Sequence, residues 1–375
     1  MISYLIIVFL FLFLDRFKRV SPFVKYCILA YIAVFMCAGY MCGSDWRSYE
    51  TKYLTYRLDD MLEEPGFPCL SITARNIGLS FWPFVIAVKF LCLLAFYKYI
   101  KQYATDSNLY LALLFFFSFY GIYLLIDAPM RNLCAIAIFL WGLLLEKKNK
   151  WYPWFLSLIA IGFHVSAVVG ILYLVLRNYR ISSWIYLGAY IVAVIISLKS
   201  DYINDNAGNT LIGQILFADK IERYIENGFG GESVASSALS LGEILKIFLF
   251  FVVLLCRKYI ERLNNGVLIF TGAMFFFIIA KMGAAIDVLM RFGCFFAVYY
   301  ALALCYASEA FFKPYKKMFR TCVVLLAVLQ TCLTVRVDYR FVPYTNYFEY
   351  LLFHDNMPSY NYRSDYNFKN TPYKE

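Results

Sequence analysis

Ten apolar runs separated by short polar breaks constrain this chain more than any other feature. They lie near residues 2–14, 22–42, 80–97, 109–126, 130–145, 184–198, 241–256, 266–283, 292–312 and 319–336. A helix needs about 20 apolar residues to cross the hydrocarbon core of a bilayer. The runs are continuous rather than alternating, which argues against a β-barrel. Composition agrees, since 62% of the 375 residues are hydrophobic, 20% aromatic and only 16% charged, and the mean hydropathy is +0.64. A soluble domain carries about 25% charged residues. The expected fold is an all-α polytopic integral membrane protein in which residues 1–336 form a single transmembrane domain.

One further apolar segment, Trp151–Leu176, does not fit a simple crossing. Glu146-Lys-Lys-Asn-Lys150 precedes it and Arg177-Asn-Tyr-Arg180 follows it. Both flanks are basic, and short basic loops mark the cytoplasmic side. Read as a single span, the segment would put the last three basic clusters outside, nine Lys and Arg in total (Arg177/Arg180, Arg257/Lys258/Arg262, Lys313/Lys316/Lys317/Arg320). A re-entrant helical hairpin over 151–176 restores the alternation. Each arm then has about 12 residues, roughly 18 Å of helix. Such a backbone is tolerated where protein or a wet cavity covers it. His164 falls at the turn, and Ser166 is placed to cap the second arm. The same parity puts both chain ends outside, with outer loops at 43–79 and 199–240 and a polar, Tyr-rich extracytoplasmic tail at 337–375.

The net charge of +10 sits mostly in short loops between apolar runs, so topology explains it and no nucleic-acid partner is expected. Most of the eleven cysteines lie inside apolar runs as small hydrophobes. Only Cys42 and Cys69 flank an external loop and are candidates to pair. The N-terminus has no basic n-region and no small-residue cleavage site, and reads as a retained first helix. There is no Walker-type glycine loop, His/Cys metal constellation or GxSxG elbow. No metal and no cofactor are expected, and ATP-driven transport and zinc hydrolysis are disfavoured.

Ionisable residues at membrane depth are expensive and are candidates for function. By this topology they converge on one face: Asp45 and Arg47 after the second run, with Tyr49 close by; Asp127 and Arg131 in the short turn before 130–145; Lys281 at the end of an apolar run; Asp287 and Arg291 in the turn before 292–312; and Lys220, Arg223 and Tyr224 in loop 199–240. Bland readings compete. Asp127/Arg131 and Asp287/Arg291 are each four apart, the spacing of a helix-terminal ion pair. Asp45 also suits a solvated loop, and His164 a hydrogen-bonded core. Several arginines with few compensating acids suit phosphate or pyrophosphate, which guanidinium groups engage in a bidentate fork. A neutral imidazole nearby can accept a hydroxyl proton. Eight tyrosines from Tyr339 to Tyr373 suit stacking on sugars, though membrane interfaces are rich in Tyr without any ligand.

Six short motifs follow one another along the chain, at Gly43–Tyr49, Glu64–Phe67, Arg131–Ala135, Phe163–Ala167, Lys220–Tyr224 and Arg291–Phe292, and their order resembles that of EpsG-like, Wzy-type surface polysaccharide (O-antigen) polymerases. Gly43-Ser-Asp45 with Tyr49, and Glu64-Pro-Gly-Phe67, resemble that family's first outer loop. Arg131-Asn-Leu-Cys-Ala135, Phe163-His-Val-Ser-Ala167, Lys220-Ile-Glu-Arg-Tyr224 and Arg291-Phe292 are similar to its later elements. Asn132 departs from the glutamine expected after the arginine. The resemblance runs from about residue 30 to 350. It implies a GT-C-like membrane glycosyltransferase of the bacterial inner membrane. Its substrate would be an undecaprenyl-pyrophosphate-linked oligosaccharide, and a chain-length regulator is a candidate partner. On this reading His164 or Asp45 is the catalytic base. Arg131, Arg291, Lys281, Arg223 and Lys220 bind the pyrophosphate, and Arg47, Tyr49, Asp127, Tyr224 and Asp287 bind sugar or support the site. The alternatives are a flippase or exporter of the lipid-linked unit, or an O-antigen ligase-type transferase. A transporter should show paired, pseudo-symmetric halves, and none is visible.

Overall fold

The computed structural model describes residues 1–17, 19–57, 64–198, 241–283, 287–311, 313–337, 340–353 and 360–370. Among these the chain is helical, and the one β-type pairing is an isolated antiparallel bridge between Gly39 and Asn346. The backbone forms two compact units, Met1–Leu174 with Phe311–Lys374, and Val175–Ala310.

In the first unit, α1 spans Ile2–Arg16 and α2 Pro22–Cys37. Pro22 opens α2 and the Ser21 hydroxyl accepts from the Val24 amide, a regular N-terminal cap. Two short helices follow, α3 (Trp46–Thr55) and α4 (Gly66–Asn76), neither of which the apolar pattern announces. Then come α5 (Phe81–Tyr103) and α6 (Leu109–Phe116), the latter prolonged by π-helical turns to Asp127. After it lie α7 (Met130–Leu145), α8 (Tyr152–Phe163) and α9 (Val168–Leu176). In the second unit are α10 (Ser183–Leu198), α11 (Leu241–Leu255), α12 (Arg257–Ile260), α13 (Gly266–Gly283), α14 (Asp287–Gly293) and α15 (Ala297–Ala310). The first unit ends with α16 (Lys313–Val337), α17 (Tyr347–Phe353) and α18 (Tyr360–Asn370).

Each expected apolar run is helical over most of its length, and two, 130–145 and 266–283, coincide with a helix end to end. Among the described residues, four helical stretches are long and apolar enough to cross a membrane: Phe81–Tyr103, Gly266–Gly283, Leu289–Ala310 and Tyr315–Arg336. Large apolar side chains stay outside the packing, including Phe9 (64% exposed), Leu91 (62%) and Leu255 (83%). So much apolar surface suits lipid rather than water. The chain is thus a helical membrane protein.

The helix placements correct one expectation. Asp287 and Arg291 do not occupy an inter-helix turn. Both belong to α14, which leads through a 3₁₀ turn into α15.

The segment 151–176 does reverse on itself, and α7 shows how. At one level along α7, Gly142 meets Pro153 and Leu156 of α8 so closely that a Cβ there would sit 3.1 Å from the Pro153 backbone. Ten residues back, at the start of α7, Asn132 meets Ser166. Phe139 then meets Gly170 and Tyr173 of α9. The chain therefore climbs along α7 to its start and descends again. The reversal is at His164, whose backbone is extended (φ −160°, ψ 129°), with one 3₁₀ turn, Val165–Ala167, before α9.

The segment after α16 is woven into the first unit. Residues 340–347 pair with the loop after α2: Tyr40 N–H donates to Thr345 O (2.9 Å), Gly43 N–H to Arg340 O (2.9 Å) and Tyr347 N–H to Ala38 O (2.8 Å). The Tyr344 hydroxyl donates to Phe35 O (2.6 Å). Arg363 is 1% exposed and donates from Nε to Met41 O (3.0 Å). Both Cys42, which is buried, and Cys69, which is exposed, are free thiols.

Candidate functional site

The polar cluster of the first unit is assembled from three places in the sequence. The loop before α4 supplies Glu64, the first turn of α7 supplies Arg131 and Asn132, and the hairpin tip supplies His164 to Ser166. Arg131 donates through one guanidinium nitrogen to Glu64 Oε2 (3.2 Å) and through the other to the Tyr56 hydroxyl (3.0 Å). Glu64 Oε1 accepts from the Val165 amide (3.1 Å). One carboxylate thus joins the loop before α4, α7 and the hairpin tip. Gly66 is required for this approach, because a Cβ there would lie 2.4 Å from the Phe163 ring.

His164 is 8% exposed. Its Nδ1 accepts from the Ser166 amide (3.2 Å) and lies 2.6 Å from the Ser166 hydroxyl. That hydroxyl is in turn 3.0 Å from Asn132 Oδ1, and its single proton serves one of these two neighbours at a time. Asn132 is 1% exposed, so the departure from glutamine at this position leaves a side chain still engaged with the hairpin. The cap of the second arm is His164 itself, not Ser166, whose hydroxyl faces α7 instead. With Nδ1 held inside the hairpin, chemistry at this ring would run through Nε2, which donates while Nδ1 accepts and takes up a proton only in the tautomer whose Nδ1–H donates to the Ser166 hydroxyl.

Asp127 and Arg131 do not pair with each other. Ala128 between them is left-handed (φ 54°, ψ 72°) and Pro129 follows, so the helical register needed for a contact four residues apart is broken. Asp127 instead accepts from the Ser44 amide (2.7 Å), the Ser44 hydroxyl (3.1 Å) and Arg340 (2.8 Å). Gly43, at φ +92°, lies against it, and a Cβ there would come 2.5 Å from Asp127 O. This latch holds the chain immediately before Asp45, which is exposed at the start of α3.

Arg47 is also exposed, and Tyr49 packs edge-on against Phe67 at 5.4 Å. Lys52, one helical turn beyond Tyr49, lies within electrostatic reach of both Arg131 and Asp45. Partial burial, followed by the Arg131 charge, pulls its ammonium below the ordinary lysine range, and Asp45 opposes this. Arg75 closes the end of α3 by donating to the carbonyls of Tyr53 (3.0 Å), Leu54 (2.6 Å) and Tyr56 (2.8 Å). A cavity of about 570 Å³, lined by Leu54, Thr55, Tyr56, Arg57 and Arg75, shares Tyr56 with the Arg131 cluster.

In the second unit, Lys281 is 3% exposed and donates to Glu243 Oε2 (2.9 Å), while Lys246 reaches Oε1 (2.7 Å). Arg291 is half-buried on α14. Asp287 is described as backbone only, and Lys220, Arg223 and Tyr224 lie outside the described residues.

Sequence reading singled out His164 and Arg131, whose segments Glu64 links in the structure, and Asp45, which follows the Ser44 held by Asp127. It missed Glu64 as a site residue, along with Tyr56, Lys52 and Arg340. Glu64 stood in a motif noted for its order alone. The available signal was a carboxylate directly before Pro-Gly, closing an acidic run with Asp59, Asp60 and Glu63. It also missed Lys89, 3% exposed in the middle of α5.

These features define a class: a helical membrane protein whose polar, arginine-containing site is built where a helical hairpin turns against a neighbouring helix. More particularly, the chain belongs to the EpsG family, a family of Wzy-like polysaccharide polymerase-type proteins, whose family model matches residues 23–350. The matched region includes every site residue described above from Asp45 to Arg340. No curated protein and no solved structure gives a significant match. Family membership points to a polysaccharide polymerase-type role in surface polysaccharide synthesis.

Proposed function

We propose that this chain polymerises undecaprenyl-pyrophosphate-linked oligosaccharide repeats at the outer face of a bacterial inner membrane. A hydroxyl of one lipid-linked repeat attacks the anomeric carbon of the chain carried by another. The new glycosidic C–O bond forms as the anomeric carbon–phosphate oxygen bond breaks, and undecaprenyl pyrophosphate leaves with the electron pair. The acceptor proton passes to Asp45 or, in the tautomer whose Nδ1–H donates to the Ser166 hydroxyl, to His164 Nε2, a general-base contribution of typically 10²–10⁴-fold. Arg131 takes up charge on the departing diphosphate, and Lys52 adds positive potential beside it. Lys281 and Arg291 are proposed as diphosphate ligands of the second unit, and Lys220 and Arg223 as ligands from loop 199–240. Arg47, Tyr49, Tyr224 and Asp287 are proposed to contact sugar or support the site, and a chain-length regulator is proposed as a partner.

The observation that carries this reading is the placement of Arg131, half-buried (26% side-chain exposure) and fixed by Glu64 and Tyr56, beside the buried His164 turn. A guanidinium fixed in this way is suited to an oxyanion and is costly to keep for packing alone. The test is deletion of the gene with complementation, read as glycan length on a gel. Native chain should restore a ladder. Arg131→Ala and His164→Ala should leave a single capped repeat. An unchanged ladder in the deletion strain sinks the reading, and loss of all capped lipid redirects it to a ligase or flippase.

A further inference from the structure

Glu64 is where three parts of the first unit converge, and its backbone is bent to bring it there. It sits at φ 53°, in the left-handed region that non-glycine residues seldom occupy and that gathers at functional sites. Its side chain is only 9% exposed. Both carboxylate oxygens are engaged, Oε1 by the Val165 amide at 3.1 Å and Oε2 by Arg131 at 3.2 Å. Val165 directly follows His164, so one anionic group fixes the cation and the turn that carries the imidazole.

We propose that Glu64 is the positioning residue of this site. It holds the Arg131 guanidinium and the His164 turn in one geometry and so sets a bound lipid diphosphate against the imidazole. This rests on reading Arg131 as the diphosphate ligand. A role as base is disfavoured, because both carboxylate oxygens already accept, one from the Arg131 guanidinium and one from the Val165 amide. Glu64 also offsets part of the Arg131 charge before substrate arrives. The diphosphate must then compete for a guanidinium already oriented, and alignment is worth more to turnover than to binding.

The experiment uses the purified full chain in detergent, with amide hydrogen exchange of the peptide Phe163–Ala167 measured beside turnover of lipid-linked repeats. Glu64→Gln keeps an acceptor for Val165 but removes the charge on Arg131. Exchange should stay within about twofold of native while kcat falls about tenfold or more and KM moves less. Glu64→Ala should raise exchange at the hairpin tip about tenfold or more and abolish turnover. Native exchange in Glu64→Ala overturns the proposal, as does full turnover in Glu64→Gln, since a merely structural acceptor would be satisfied by glutamine. The exchange measurement needs no substrate. If the native chain makes no polymer, the polymerase reading fails while exchange alone still decides the role of Glu64.

Discussion

Asp127 and Arg340 are separated by 213 positions in the sequence yet joined by a 2.8 Å ion pair. Asp127 is nearly enclosed and Arg340 about one-third exposed, with side-chain exposures of 5% and 32%. The pair makes the segment beyond α16 part of the site, because the same carboxylate holds Ser44 and hence the chain entering Asp45. Removing one partner of such a pair leaves a buried charge short of a ligand. Arg340→Ala should therefore cost about 1–3 kcal/mol and lower polymer yield, and Arg340→Lys should restore most of both. Thermal unfolding in detergent beside glycan length in complemented cells checks this. Native stability in Arg340→Ala would contradict it.

The Asn132–Ser166–His164 chain makes a separate prediction. Ser166→Ala removes the hydroxyl at 2.6 Å from Nδ1 but leaves the Ser166 amide contact, a backbone feature, in place. The ring should lose orientation while the fold stays intact. Turnover should drop about tenfold or more, for a stability loss of about 1 kcal/mol. Asn132→Ala should resemble it, and the double variant should be no worse than either single one, because coupled residues do not add. Measured kcat of the four chains forms the cycle, and strict additivity would refute the coupling.

Much of this architecture was legible because hydrophobicity and loop charge act over whole segments. The limits of 130–145 and 266–283, and the reversal at His164, follow from where apolar residues stop and where lysines gather. Pairings set by backbone geometry were not legible. Asp127 and Arg131 have the spacing of a helical ion pair, but left-handed Ala128 and Pro129 break the register between them. Their true partners, Arg340 and Glu64, are separated from them by more than 60 positions, and no periodicity encodes such a contact. The polar helices α3 and α4 escaped for a related reason, since neither bears an apolar stripe long enough to stand out.

Lys52 should govern the alkaline side of the pH profile. Partial burial and the Arg131 charge favour its neutral form, with Asp45 opposing them. A base whose folded-state proton affinity is depressed sheds its charge at lower pH than in the unfolded chain. Positive potential beside Arg131 should therefore fade below the ordinary lysine range as pH rises. KM for the lipid-linked repeat should increase over that interval. Lys52→Arg should hold its charge and move the alkaline rise to higher pH, and Asp45→Asn should move it lower. A KM profile identical in native chain and Lys52→Arg would rule this out.

The hairpin makes the topological prediction. Both arms pack against α7, Leu156 near Gly142 and Gly170 near Phe139, with the turn between them at Asn132. The chain thus leaves 151–176 travelling back along the direction from which it came. In a background freed of reactive cysteines, Lys148→Cys and Asn178→Cys, both at exposed positions, should label from the cytoplasmic side only. Arg177 is a poorer reporter, being 5% exposed. Labelling on opposite sides would require a full crossing. A crossing would need α9 to continue away from α7, whereas Tyr173 stacks edge-on against Phe139 with ring centroids 6.2 Å apart.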